Sequence, residues 1–171
     1  MTLLAITQGD SAGIGPEIIA KAFRDAPHDL RGCFVVGDVA TLRRAAQCIE
    51  RPGQPSLPVA VIGTPAEALT APPRCIPVLQ LDGIALPQPF GRISAAAGQA
   101  AAQSVVWAAR AALRGEIAGL VTAPLHKEAL HAAGIDYPGH TELLQAEAAA
   151  WRGVTVAEMP VRMMLASDEL R

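Results

Sequence analysis

Short apolar runs that alternate with helix-period stretches restrict this chain more than any other feature. Residues 3–7, 33–37, 59–62, 76–79, 117–122 and 161–165 are apolar runs of strand length, and near-continuous apolar runs suit strands covered on both faces. Helices with readable ends lie between several of them. Pro16 stands at a first helical position, with Glu17 in the first turn and Ile18, Ile19, Ala22 and Phe23 on one face. Asp38 is placed to cap a helix carrying Leu42, Ala45, Ala46 and Ile49. Ser94 is placed to cap the longest helix, whose Ala101, Ala102, Val105, Ala109, Ala112 and Leu113 form a stripe stopped by Gly115. So many alanines imply a neighbour at close range. Pro124 opens a short helix closed by Gly134, and Thr141 opens another that runs towards Trp151. The alternation predicts an α/β layered fold with a largely parallel sheet. Residues 52–58 and 65–77 are proline-rich and read as exposed connections. The chain's last apolar run, 161–165, reads as a strand, Ser167-Asp168-Glu169 as a turn, and a return strand is expected just where Arg171 stands.

Composition narrows the partners. The chain has 171 residues, enough for one domain or one large lobe. Hydrophobic residues make up 51% and charged residues 18%. That buries a core, and it leaves few charges to coat a free-standing surface, so another lobe or subunit is expected to cover part of it. With Lys+Arg 14 against Asp+Glu 16, the net charge of −2 argues against nucleic acid or an anionic membrane as a partner. Residues 1–10 lack a basic segment followed by a small-residue cleavage site. The longest uncharged stretch, 93–109, carries Ser94, Gln99, Gln103 and Ser104 and falls short of the ~20 apolar residues a span needs. Cys33, Cys48 and Cys75 are odd in number and have no CxxC spacing, so neither a disulfide framework nor a zinc knuckle is indicated. A soluble, cytoplasmic protein is expected.

Three segments could carry chemistry. In the first, Gly9-Asp10-Ser11-Ala12-Gly13-Ile14-Gly15-Pro16-Glu17 joins the first strand to the first helix. Gly13 and Gly15 allow close backbone approach to a ligand, and Asp10 sits where open α/β sheets bind one. No Gly-Lys-Ser/Thr follows, and Ile18 stands where the third glycine of GxGxxG would be, so neither nucleotide motif is complete. A tight strand-to-helix turn with purely geometric glycines accounts for the segment equally well. In the second, Thr122-Ala123-Pro124-Leu125-His126-Lys127, cations in a first helical turn oppose the dipole, which an acidic ligand would offset at Lys127; a solvated Lys127 paired to Glu128 is the plainer alternative. In the third, Tyr137-Pro138-Gly139-His140-Thr141-Glu142, His140 and Thr141 at a helix start suit a phosphate or carboxylate, while a capping threonine beside a surface histidine suits the same residues. His126 and His131 are five apart and do not share a helix face as metal ligands would. GDSAG is not the GxSxG nucleophile turn, and no residue here is assigned as catalytic or metal-ligating.

Taken in order, Thr7-Gln8-Gly9-Asp10-Ser11-Ala12-Gly13-Ile14-Gly15-Pro16-Glu17, Thr122-Ala123-Pro124-Leu125-His126-Lys127-Glu128, Ala133-Gly134 and Gly139-His140-Thr141-Glu142 resemble the 4-hydroxythreonine-4-phosphate dehydrogenase family, including its phospho-threonate and phospho-erythronate dehydrogenase paralogues. The resemblance runs from Leu4 to Arg171 and covers about the first half of a family member. It implies an isocitrate/isopropylmalate-dehydrogenase-like α/β/α architecture in which this chain is one half of a two-lobe homodimeric enzyme. The implied reaction is NAD-dependent (or NADP-dependent) oxidation, with decarboxylation, of 4-phosphohydroxy-L-threonine in pyridoxal 5'-phosphate biosynthesis. A divalent metal (Zn, Mg or Co) is implied, with ligands beyond residue 171. By the same resemblance His140 and Thr141 contact substrate, and the isolated chain is expected to be inactive. Ser11 stands where the family usually has proline, and His126 where phospho-threonate-type members often have asparagine. The alternatives are the phospho-D-threonate or phospho-erythronate activity, and a non-catalytic phosphate-binding homologue.

Overall fold

A computed structural model describes residues 2–84 and 87–167. Its elements in chain order are β1 (Leu4–Thr7), α1 (Gly15–Asp25), β2 (Cys33–Gly37), α2 (Val39–Cys48), β3 (Val59–Ile62), β4 (Ile76–Gln80), α3 (Ala95–Leu113), β5 (Gly119–Thr122), α4 (Lys127–Ala132) and α5 (His140–Arg152). The five strands form one parallel sheet in the order β3-β4-β2-β1-β5. β1 lies between β2 and β5, with Leu4 opposite both Cys33 and Gly119.

The alternation of side chains along β2 explains the layers. Cys33 and Val35 join Ile6, Ile76 and Val78 in a core closed by Ile19, Ala20 and Phe23 of α1 and Leu42 and Ala45 of α2. Phe34 and Val36 point the other way, with Ala5 and Leu79, onto Ala108 and Ala111 of α3. Trp107 meets Phe34 edge-on at 6.1 Å. Beyond α3 a third cluster, Ala102, Val105, Leu130 and Leu143, joins α3 to α4 and α5. The alanines of α3 are small because α3 is covered on two sides. At Gly98 the α4 backbone at Ala129 comes so close that even a methyl group would overlap it.

Two of the three expected caps form. Asp38 accepts from Thr41 N at 2.7 Å, and Ser94 accepts from Ala97 N at 3.1 Å. Other boundaries move. Residue 15 opens α1, so Pro16 is its second residue. α4 begins at Lys127, with His126 as its cap position rather than part of its first turn. α5 begins at His140 behind Gly139, so Thr141 lies inside the first turn and caps nothing. The connection 65–77 is not all loop. Residues Pro65–Leu69 form a 3-10 turn boxed by Thr64 and Glu67, and Ile76 and Pro77 are buried in β4. Pro77 is tolerated because β4 pairs with β2 only from Val78 onward. The expected strand at 161–165 does not form: Met163, Met164 and Leu165 are 75%, 77% and 83% exposed. An apolar run becomes a strand only when a neighbour takes its N–H and C=O groups, and among the described residues β5 pairs with β1 alone. Asp168 and Glu169 of the expected turn lie outside the described residues.

Candidate functional site at the carboxyl edge of the sheet

The strands β1 and β5 end side by side, and their following loops are laced together. Ala123 N donates to Thr7 O at 3.3 Å, and Asp10 N donates to Pro124 O at 2.9 Å. Gly9 has φ +68° and abuts the Pro124 carbonyl so closely that no side chain fits. A methyl at Gly15 would lie 2.8 Å from Gln8 O and 3.3 Å from the Ala123 methyl. These glycines are therefore required by the chain's own packing. Asp10 is buried, and its Oδ1 accepts from Ala12 N at 2.9 Å, while Gly13 N donates to Asp10 O at 3.1 Å. The Asp10 carboxylate and the Gly13 amide thus build the turn itself.

His140 arrives at the same place from α5. Its ring bonds to the backbone of Ala123, and burial, the larger effect, holds the imidazole below its ordinary pKa. His140 Nε2 is buried without a hydrogen-bond partner among the described residues. Gly139, with φ −178°, makes no side-chain cap, so the first turn of α5 presents its backbone N–H groups beside that ring. Thr141 is half-buried in that turn. The folding of the sheet edge thus gathers Asp10, Gly15 and His140 around Ala123–Pro124, positions far apart in the chain, while Gly13 is joined to this group through Asp10. Lys127 is not part of this group. It is exposed, has no ion-pair partner among the described residues, and lines a shallow hollow of about 280 Å³ with His131, Ile135, Asp136, Tyr137 and Pro138.

Two buried polar side chains at this edge, Thr7 and Gln8, were not among the site residues expected from the sequence. Gln8 is fully buried; its Oε1 accepts from Asp38 N at 2.7 Å and its Nε2 has no partner among the described residues. Gly37 leaves room for it, since a methyl there would overlap the Gln8 side chain. Thr7 is also fully buried, with Oγ1 unpartnered among the described residues. A polar Thr-Gln pair ending an apolar strand was the available hint. A larger hollow of about 790 Å³ lies elsewhere, between the end of β4, α3 and α5. Among the described residues no group of three His, Cys, Asp or Glu side chains could hold a metal, and His131 faces Asp136 at 3.7 Å on an exposed surface.

Residues 29–171 match the family described as pyridoxal phosphate biosynthetic protein PdxA. The chain belongs to the PdxA family. A 4-hydroxythreonine-4-phosphate dehydrogenase of Beijerinckia indica is 44% identical over 98% of this chain, which spans 46% of that PdxA relative. A D-threonate 4-phosphate dehydrogenase of Bordetella bronchiseptica is 47% identical over 84% of the chain, which spans 40% of it. The crystal structure of a 4-hydroxythreonine-4-phosphate dehydrogenase from Burkholderia phymatum superposes with a TM-score of 0.76 at 37% identity, covering 91% of this chain and 44% of that one. The α/β fold with its parallel sheet is thus the PdxA fold, and the chain spans less than half the length of these relatives.

Proposed function

We propose that this chain is the substrate-gripping half of a two-lobe dehydrogenase that oxidises and decarboxylates 4-phosphohydroxy-L-threonine with NAD or NADP. The observation that carries the reading is His140: a ring below its ordinary pKa, with a buried, unpartnered Nε2 beside the uncapped first turn of α5. With its other ring nitrogen donating to the Ala123 backbone, the neutral imidazole offers Nε2 as an acceptor to a substrate hydroxyl, while the α5 N–H groups and the Thr141 hydroxyl form the cradle for an anionic group. Asp10, Gly13 and Gly15 serve it by shaping the turn that holds Ala123 and Pro124. Lys127, exposed at the start of α4, would act at longer range on an acidic substrate.

The described residues do not fit the metal, since no group of three His, Cys, Asp or Glu side chains that could ligate it stands among them. Nor does the glycine turn fit a dinucleotide, since Gly9 and Gly15 are filled by the chain's own atoms and the Ala12 and Gly13 amides are taken by Asp10. In this reading both groups are held by the other half. Exposed Val121, Met163, Met164 and Leu165 are apolar surface for that half, or a second copy in a homodimer, to cover. Cys33, Cys48 and Cys75 are free, which suits the reducing cytoplasm. A second reading, oxidation of 4-phospho-D-threonate, draws on the Bordetella D-threonate 4-phosphate dehydrogenase, which is 47% identical over 84% of the chain.

Calorimetric titration of the chain with 4-phosphohydroxy-L-threonine and with 4-phospho-D-threonate tests the proposal. One of them is expected to bind, and His140→Ala to weaken it about tenfold. Binding of neither acid, or binding indifferent to His140, would overturn it.

A further inference from the structure

Arg44 of α2 is half-buried, and it faces no carboxylate within ion-pair distance among the described residues. Its guanidinium is spent on two backbone carbonyls instead. Nη2 donates to Ser11 O in the glycine turn at 2.6 Å, and Nη1 donates to Gln88 O at 2.6 Å. The same group lies 4.0 Å over the ring of Phe90. Gly91 N closes the arrangement by donating to Ala12 O at 2.8 Å. Charge-assisted bonds to two carbonyls from one rigid planar fork cannot be reproduced by a single ammonium.

We propose that Arg44 is a positioning residue that clamps the 9–15 turn and the 87–92 loop into one rim beside His140. The turn it holds is the one whose Asp10 N grips Pro124 O, next to the Ala123 backbone on which the His140 ring rests. Arg44 touches no ligand in this scheme. It acts by stopping the turn from drifting away from Ala123 and Pro124, which a loop of glycines would otherwise do readily. What the rim serves rests on the substrate-gripping reading above; that the rim is clamped does not.

The test is amide hydrogen exchange on the purified chain, comparing the wild type with Arg44→Met, which keeps a long apolar stem, and Arg44→Lys, which keeps the charge. In Arg44→Met, the amides of Ala12, Gly13 and Gly91 are expected to exchange about tenfold faster, with Val35 and Val36 in β2 unchanged. Arg44→Lys is expected to restore part of that protection, and it carries the comparison if the Met variant does not fold. Affinity for whichever phosphorylated acid the wild type binds should fall in step with the lost protection. Unchanged exchange at the three amides, or a rise shared equally by Val35 and Val36, overturns the clamp. If the exchange pattern is as expected but the wild type binds neither acid, the substrate-gripping reading fails and the clamp stands.

Discussion

Burial of His140 decides the sign of its response to pH. The folded protein holds the imidazole below its ordinary value, chiefly by desolvation, with the Ala123 backbone bond working against it. The unfolded chain therefore takes up the proton first, and stability present above about pH 6.5 is lost as pH falls through the lower folded value. Denaturant unfolding across about pH 5 to 8 should show this loss in the wild type and not in His140→Gln. Parallel curves for the two would remove the buried-imidazole account. Glycines give a second test at this scale. Gly115 has φ +76° and open space around it, so Gly115→Ala meets only backbone strain, about 1–2 kcal/mol. Gly9→Ala meets similar strain and the Pro124 carbonyl as well, and thermal unfolding should rank it clearly the more destabilising. Equal losses would mean the turn yields easily.

Among the elements, α3 is the one on which both neighbouring layers depend. It fills the sheet side with Ala108 and Ala111 and the outer side with Ala102 and Val105, and Gly98 lets α4 approach. Gly98→Ala should raise intrinsic helix propensity yet destabilise the chain, since overpacking typically costs about 1–3 kcal/mol. A stabilised variant in chemical denaturation would show that α4 can step back freely. The helix starts show how far local chemistry reaches. Asp38 and Ser94 were readable as caps because their side chains bond amides three residues on, a purely local event. The start of α5 was less readable: the Gly139 backbone runs extended into His140, and Thr141, although a good capping residue, ends up within the first turn.

For the whole molecule, the chain by itself should not reduce NAD when supplied with a divalent metal and either 4-phosphorylated acid. The described residues include no cluster of side chains that could ligate a metal, and the Beijerinckia and Bordetella relatives are more than twice as long. Following NADH absorbance checks this, and turnover at the rate of a full-length relative would refute it. The exposed run Met163, Met164 and Leu165 belongs to the same picture, since an apolar strand candidate without a neighbour stays in solvent.

The sequence alone determined the alternation of strands and helices, the α/β class, two of the caps and the segments from which a site could be built. Each of these depends on side-chain period or on bonds spanning a few residues. Strand order, the fate of residues 161–165 and the meeting of Gly9, Pro124 and His140 depended on the tertiary structure. So did the use of Arg44, which in the sequence is one arginine of a pair on a helix and in the fold joins two loops from Ser11 and Gln88. Contacts between residues tens of positions apart leave no local period, because they are selected by which strand edges and loop carbonyls happen to face one another once the sheet has formed.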